Sequence, residues 1–248
     1  MKINYLKFGT GDRVMLILPG LSIKPICEAP EALIEAYKIF ADDFTVYLFD
    51  QRSDLPESYS IDEMAEDVYA KIEELDLKDI FLYGVSLGGM IALSLTAKYP
   101  KLIRKLALCS SMYKGNRIFE EWHGYAVEKS SYKLVDSFMD NVYSEEFNEK
   151  FKEATLVAFK DISDDEFGRF ATLDDALVRC DISDELDEIK DKDILMLGSK
   201  KDRVFRYEDM KEMAERLAAE YYFYDGYSHA VYDEAPDIKE RIRGFFLK

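Results

Sequence analysis

The chain has 248 residues, of which 48% are hydrophobic and 33% charged. That is the balance of a globular protein long enough for one large α/β domain with room for an inserted subdomain. A formal net charge of −17 argues against nucleic acid or an anionic membrane surface as partner, because both need a basic face. The start Met1-Lys2-Ile3-Asn4-Tyr5 has no long apolar run, and the run at 14–18 is far too short to span a bilayer. Cys27, Cys109 and Cys180 show no CxxC spacing and suit a reducing compartment, so a cytoplasmic location is expected.

In chain order, residues 4–8 read as an antiparallel edge strand and 14–18 as a buried strand ending in Pro19-Gly20. A helix over 31–40 and a strand over 44–49, ending at Asp50, come next. The stretch 61–75 is amphipathic, with Met64, Val68 and Ile72 on one helical face. A strand at 79–83, a glycine-rich turn, a helix over 90–97 and a strand at 103–109 follow. This alternation predicts an α/β fold with a mainly parallel sheet covered by helices on both faces. The pattern breaks over 111–190, where short amphipathic helices rich in aromatics replace strands; Ser163-Asp164-Asp165-Glu166 has the form of a capping box. Strands at 193–198 and 221–224 and helices at 207–219 and 235–246 complete the chain. The expected organisation is a core of 1–110 and 191–248 with a helical cap at 111–190.

Gly84-Val85-Ser86-Leu87-Gly88 lies between a strand and a helix. That context turns G-x-S-x-G into a nucleophile elbow. The chain turns sharply at Ser86, and glycines are needed where a Cβ would strike the neighbouring strand or helix. The hydroxyl then stands at the carboxyl end of a strand, beside the free N–H groups and positive dipole end of the next helix.

Serine needs a base within hydrogen-bond reach, and the chain holds two histidines. His229 lies in a loop between the last strand and last helix, at the sheet edge where Ser86 is expected. His123 lies in the helical insertion and reads as a packing residue or a contact from the cap. The base needs a carboxylate to fix its tautomer. With 50 acidic residues, position decides: Asp202 follows the 193–198 strand, whereas the loop after 103–109, Ser110-Ser111-Met112-Tyr113-Lys114, offers none.

The order Ser86, Asp202, His229 is similar to that of the α/β-hydrolase superfamily, specifically its single-domain, helically capped carboxylesterases, lactonases and carbon–carbon bond hydrolases. Leu18-Pro19-Gly20-Leu21-Ser22 resembles the family's oxyanion loop, with Pro19 in place of the usual histidine. Asp50-Gln51-Arg52 resembles its D-x-R turn, and 181–186 its return from cap to core. Val204-Phe205 stands where many relatives have a proline, and the N-terminal hairpin is short. The resemblance implies backbone oxyanion donors at Leu21 and Leu87 and a pocket touching Ser22, Met112, Trp122 and Phe205. A serine at the elbow sets the chain apart from dehalogenases and epoxide hydrolases, whose family pattern has aspartate there. No metal cluster, Walker sequence or G-x-G-x-x-G is visible, so no cofactor is expected. The implied activity is serine hydrolysis of a small or medium acyl compound, a carboxylic ester first. Acyl transfer, lactone or thioester cleavage and carbon–carbon hydrolysis by the same triad remain open, as does a small-molecule receptor on the same scaffold.

Overall fold

Apolar runs become strands because both faces of a parallel sheet are covered. In the computed structural model, which describes residues 2–248, seven of them form one sheet. They are β1 (Tyr5–Phe8), β2 (Arg13–Leu18), β3 (Phe44–Phe49), β4 (Ile80–Val85), β5 (Ile103–Cys109), β6 (Ile194–Ser199) and β7 (Glu220–Tyr224). Their spatial order is β1-β3-β2-β4-β5-β6-β7. β1 pairs antiparallel with β3, Tyr5 opposite Phe49, and all other pairings are parallel. The carboxyl ends of β2 and β4 to β7 therefore open on one edge. The order in which strands are added switches sides between β2 and β4, with β3 laid on one side of β2 and β4 on the other, the kind of crevice where open α/β sheets bind ligands.

Side chains alternate between two cores. Leu16, Leu82, Leu106 and Met196 face one, shared with helices α2 (Ile61–Glu74) and α3 (Leu87–Lys98). Met15, Ile17, Phe81, Tyr83 and Leu195 face the other, with α1 (Pro30–Tyr37) and the C-terminal helix against it. α2 opens with a capping box: Ser60 accepts from the Glu63 amide and Glu63 from the Ser60 amide, which satisfies two donors that a helix start leaves free. α3 is buried from Leu87 to Thr96, so its apolar residues run all round rather than along one stripe.

Between β5 and β6 the chain forms α4 (Arg117–Val127), α5 (Ser131–Val142), α6 (Glu145–Ala158) and α7 (Asp164–Arg179), the last starting at the Ser163 capping box. This segment leaves and rejoins the sheet through one antiparallel bridge, Lys114 opposite Asp181. The Ile182 amide donates to the Tyr113 carbonyl at 2.9 Å and the Gly115 amide to the Cys180 carbonyl at 3.0 Å.

Two helix expectations need correction. The helix placed at 235–246 begins three residues later, as α10 (Ile238–Leu247), and a separate short helix, α9 (Val231–Glu234), precedes it after α8 (Tyr207–Arg216). Ala235 is extended, with ψ of 120°, because Pro236 disfavours helical backbone in the residue before it. The helix placed at 31–40 is α-helical only to Tyr37 and ends in a tighter 3₁₀ turn, Lys38–Phe40. No helix among the described residues is long and apolar enough to cross a membrane.

Candidate active site

Ser86 is the single residue between β4 and α3, with φ 49° and ψ −116°. A non-glycine residue in such a conformation costs on the order of 1–3 kcal/mol and persists only where its surroundings hold it. They do so from three sides. The Ser86 amide donates to the Cys109 carbonyl at 3.0 Å, and the Ser86 carbonyl accepts from the Gly89 amide and the Ser111 hydroxyl, both at 2.9 Å. The flanking glycines are steric necessities: a Cβ on Gly84 would lie 2.6 Å from the Gly88 carbonyl oxygen, and one on Gly88 would lie 2.1 Å from that of Leu18.

His229, in the loop after β7, brings Nε2 to 3.0 Å from Ser86 Oγ and Nδ1 to 2.9 Å from Asp202 Oδ2. A carboxylate accepts, so the ring proton belongs on Nδ1 and the bare Nε2 faces the serine. The other carboxylate oxygen of Asp202 accepts from the amides of Val204 at 2.8 Å and Phe205 at 2.9 Å, which fixes its orientation. The imidazole and carboxylate are almost wholly buried, at 3% and 0% exposure. The loop carrying His229 is tied down on both sides. Ser110 donates to the His229 carbonyl at 2.6 Å, and the Ala230 amide donates to the Val142 carbonyl at 2.7 Å, at the end of α5. His123 is elsewhere, its Nδ1 3.2 Å from the Ala171 carbonyl between α4 and α7.

The loop after β2 packs over Ser86: a Cβ on Gly20 would meet Ser86 Cβ at 3.3 Å. The amides of Leu21 and Leu87 donate to no protein acceptor among the described residues. Leu87 opens α3, where helix geometry supplies no acceptor. A strut that the sequence did not reveal secures this loop. Arg169 of α7 donates to the Ser22 carbonyl at 2.6 Å and Gln51 Oε1 at 2.9 Å, and lies 3.4 Å from Asp50 Oδ1. Gln51 in turn reaches the Pro19 and Gly20 carbonyls, at 3.4 Å each. Burial pushes the Asp50 carboxyl up, against the opposing pull of the Cys27 amide and Arg169.

A cavity of about 450 Å³ adjoins this loop, walled by Gly20 to Ile23 and Val85, by Val135, Phe138, Met139, Tyr143, Phe147 and Phe159 from the inserted helices, and by Tyr37, Tyr232 and Asp233. Of the four side chains expected at a pocket, Ser22 lines it. The other three do not. Trp122 is buried in the helical layer behind Phe138, ring centroids 5.0 Å apart, because its indole N–H finds Ser137 of α5 at 3.1 Å. Met112 and Phe205 line a separate depression with Asn116 and Arg206, though the Phe205 ring lies 5.6 Å from that of His229. No group of three or more His, Cys, Asp or Glu among the described residues is placed to hold a metal ion.

A family profile described as alpha/beta hydrolase fold matches residues 16–236. "Epoxide hydrolase 1" of Caenorhabditis elegans is 29% identical over 136 residues, which is 49% of this chain and 32% of that protein; the aligned region thus spans about a third of that relative. "Putative carbamate hydrolase RutD" of Rhizobium rhizogenes is 28% identical over 236 residues, 88% of this chain and 86% of that one. The structure of the enol-lactonase from Burkholderia xenovorans superposes with a TM-score of 0.85 at 18% identity, covering 99% of this chain and 96% of that one. The profile runs from β2 to the helix after His229, taking in the strand–serine–helix turn and both loops that meet it, so this chain belongs to the alpha/beta hydrolase fold family.

Proposed function

We propose that the protein is a serine hydrolase that cleaves a small or medium carboxylic ester through an acyl-enzyme on Ser86. The continuous path from Ser86 Oγ through His229 to Asp202, with steps of 3.0 and 2.9 Å, carries this reading. Ser86 Oγ attacks the ester carbonyl carbon while His229 Nε2 takes its proton. Asp202 keeps the proton on Nδ1 and stabilises the imidazolium. The tetrahedral oxyanion accepts from the free amides of Leu21 and Leu87, one such donor being worth about 3–4 kcal/mol. Collapse of the intermediate breaks the ester C–O bond, and the leaving alcohol takes the proton from His229. Water then repeats the sequence and releases the acid.

Residues 111–190 act in this reading as a cap on a core of 1–110 and 191–248, supplying the aromatic wall opposite the oxyanion loop. The relatives named for carbamate and enol-lactone cleavage favour acyl chemistry. A serine at the elbow, not a carboxylate, speaks against epoxide opening despite the partial match to an epoxide hydrolase. The test is a p-nitrophenyl ester chain-length panel with fluorophosphonate labelling. Ser86 should be labelled, and Ser86→Ala should lose both labelling and nearly all turnover. Labelling retained on another serine would overturn the assignment.

A further inference from the structure

Asp233, on α9 and four residues beyond His229, is more than a third exposed and lines this cavity. Surrounding protein desolvates the carboxyl and pushes it up to about 6, against a weaker pull from Lys239 and with a further push from Glu234. No hydrogen bond or ion pair engages this side chain among the described residues. Lys239 of α10 is occupied elsewhere, 3.4 Å from the Tyr232 carbonyl and 5.5 Å above the Tyr37 ring.

The polar tips around it are equally idle. The hydroxyls of Tyr37, Tyr143 and Tyr232 make no hydrogen bond among the described residues, and the Tyr83 hydroxyl is wholly buried without a partner. Burial first, then the negative charge of Asp233, pushes the phenols of Tyr37, Tyr143 and Tyr232 up; for Tyr83 burial and then Cys109 do so, with Asp233 contributing less. An unpartnered carboxylate on the wall of a cavity lined mainly by apolar and aromatic side chains leaves a charge without a protein counterpart, at a cost. A ligand that brings a cation removes that cost, and aromatic faces add to its attraction. A matched anion is repelled, and an alcohol donates one hydrogen bond without compensating the charge. The net charge of −17 also raises the local concentration of cations.

We propose that this cavity is a subsite for the ammonium-bearing end of an amphiphilic substrate, with Asp233 as its specificity-determining residue, the aliphatic part lying against Phe138, Phe147 and Phe159. Calling the occupant a substrate rests on the serine-hydrolase reading; the binding itself does not.

The probes are hexylammonium, 1-hexanol and hexanoate, with binding measured calorimetrically on Ser86→Ala and inhibition measured on the wild type hydrolysing p-nitrophenyl acetate. At pH 8, hexylammonium should bind Ser86→Ala about tenfold or more tightly than hexanol, with hexanoate weakest. Adding Asp233→Asn should collapse the ammonium-to-alcohol ratio towards one and leave hexanol binding in place. With Asp233 present, the ratio should also shrink as pH falls below about 6, where its carboxyl takes up a proton. The charges facing it then change little: the four tyrosines, all pushed up, stay neutral, Lys239 is held at the Tyr232 carbonyl, and Glu234 is engaged by Ser144. Hexanol binding as tightly as hexylammonium at pH 8, or an ammonium preference that survives Asp233→Asn, overturns the proposal. An ammonium preference in Ser86→Ala with no ester turnover by the wild type would retain the subsite and reject the hydrolase reading. Ser86-dependent turnover without that preference would do the reverse.

Discussion

Asp174 should be the largest single electrostatic burden on the stability of this fold. It sits on α7 with no solvent exposure, and neither carboxylate oxygen has a partner. Burial, then the neighbouring charge of Asp175, pushes its carboxyl from 3.8 up to about 9, against a smaller opposing effect of the His123 amide. At pH 7 the folded protein therefore holds a proton on Asp174 that the unfolded chain has released. The stability from this group is full below about pH 3.8 and declines as pH rises, until the folded carboxyl also ionises near pH 9. Between the two values the loss runs at about 1.4 kcal/mol per pH unit, or about 4 kcal/mol by pH 7. That figure is an upper bound, because water reaching the charged form would lower it. Asp174→Asn keeps the shape and is neutral at every pH. It should stabilise the protein by up to about 4 kcal/mol at pH 7 and by little at pH 4. Urea unfolding of both proteins at pH 4, 7 and 9 reads this directly as a difference that grows with pH. Parallel stability–pH curves for wild type and variant would refute the argument, since they would mean that Asp174 binds its proton equally in both states.

Asp202→Asn should leave the melting temperature close to that of the wild type and lower kcat by up to about 10⁴-fold, through loss of the tautomer that aims Nε2 at Ser86; an unchanged kcat would assign the acid role to another carboxylate. Arg169→Lys replaces a three-way fork with a point charge that cannot hold the Ser22 carbonyl and Gln51 together. It should lower kcat several-fold with a smaller change in KM, because the loop carrying the Leu21 amide loosens where the oxyanion forms; a change confined to KM would make Arg169 a binding residue instead of a positioning one.

What could be read from the sequence was local along the chain, and what could not was spread across it. Ser86 announces itself because the glycines its turn demands lie two residues to either side, and Asp202 and His229 because each follows a strand. Their contacts close between loops 27 and 143 residues apart, yet each loop is recognisable alone. The break at Pro236 was also legible from the proline rule, and starting the last helix at 235 overlooked it. The cavity has no such signature. Its wall draws residues from the loop after β2, α1, β3, β4, α5, α6 and α9, and an aromatic on an amphipathic helix is as suited to a buried layer as to a pocket. Trp122 and Phe138 illustrate this: adjacent rings on different helices, of which only Phe138 meets the cavity, because the indole N–H is drawn to Ser137. Asp233 is the harder case. In a chain with 50 acidic residues, an Asp-Glu pair on a short helix reads as a solvated face. Here Glu234 turns to the start of α6, accepting from the Ser144 amide and hydroxyl, while Asp233 faces the cavity. One carboxylate is thereby committed to holding the inserted helices against the His229 loop, and its neighbour is left unpaired on the cavity wall. The difference lies in which groups the insertion presents to each, so it becomes visible only once those helices are packed.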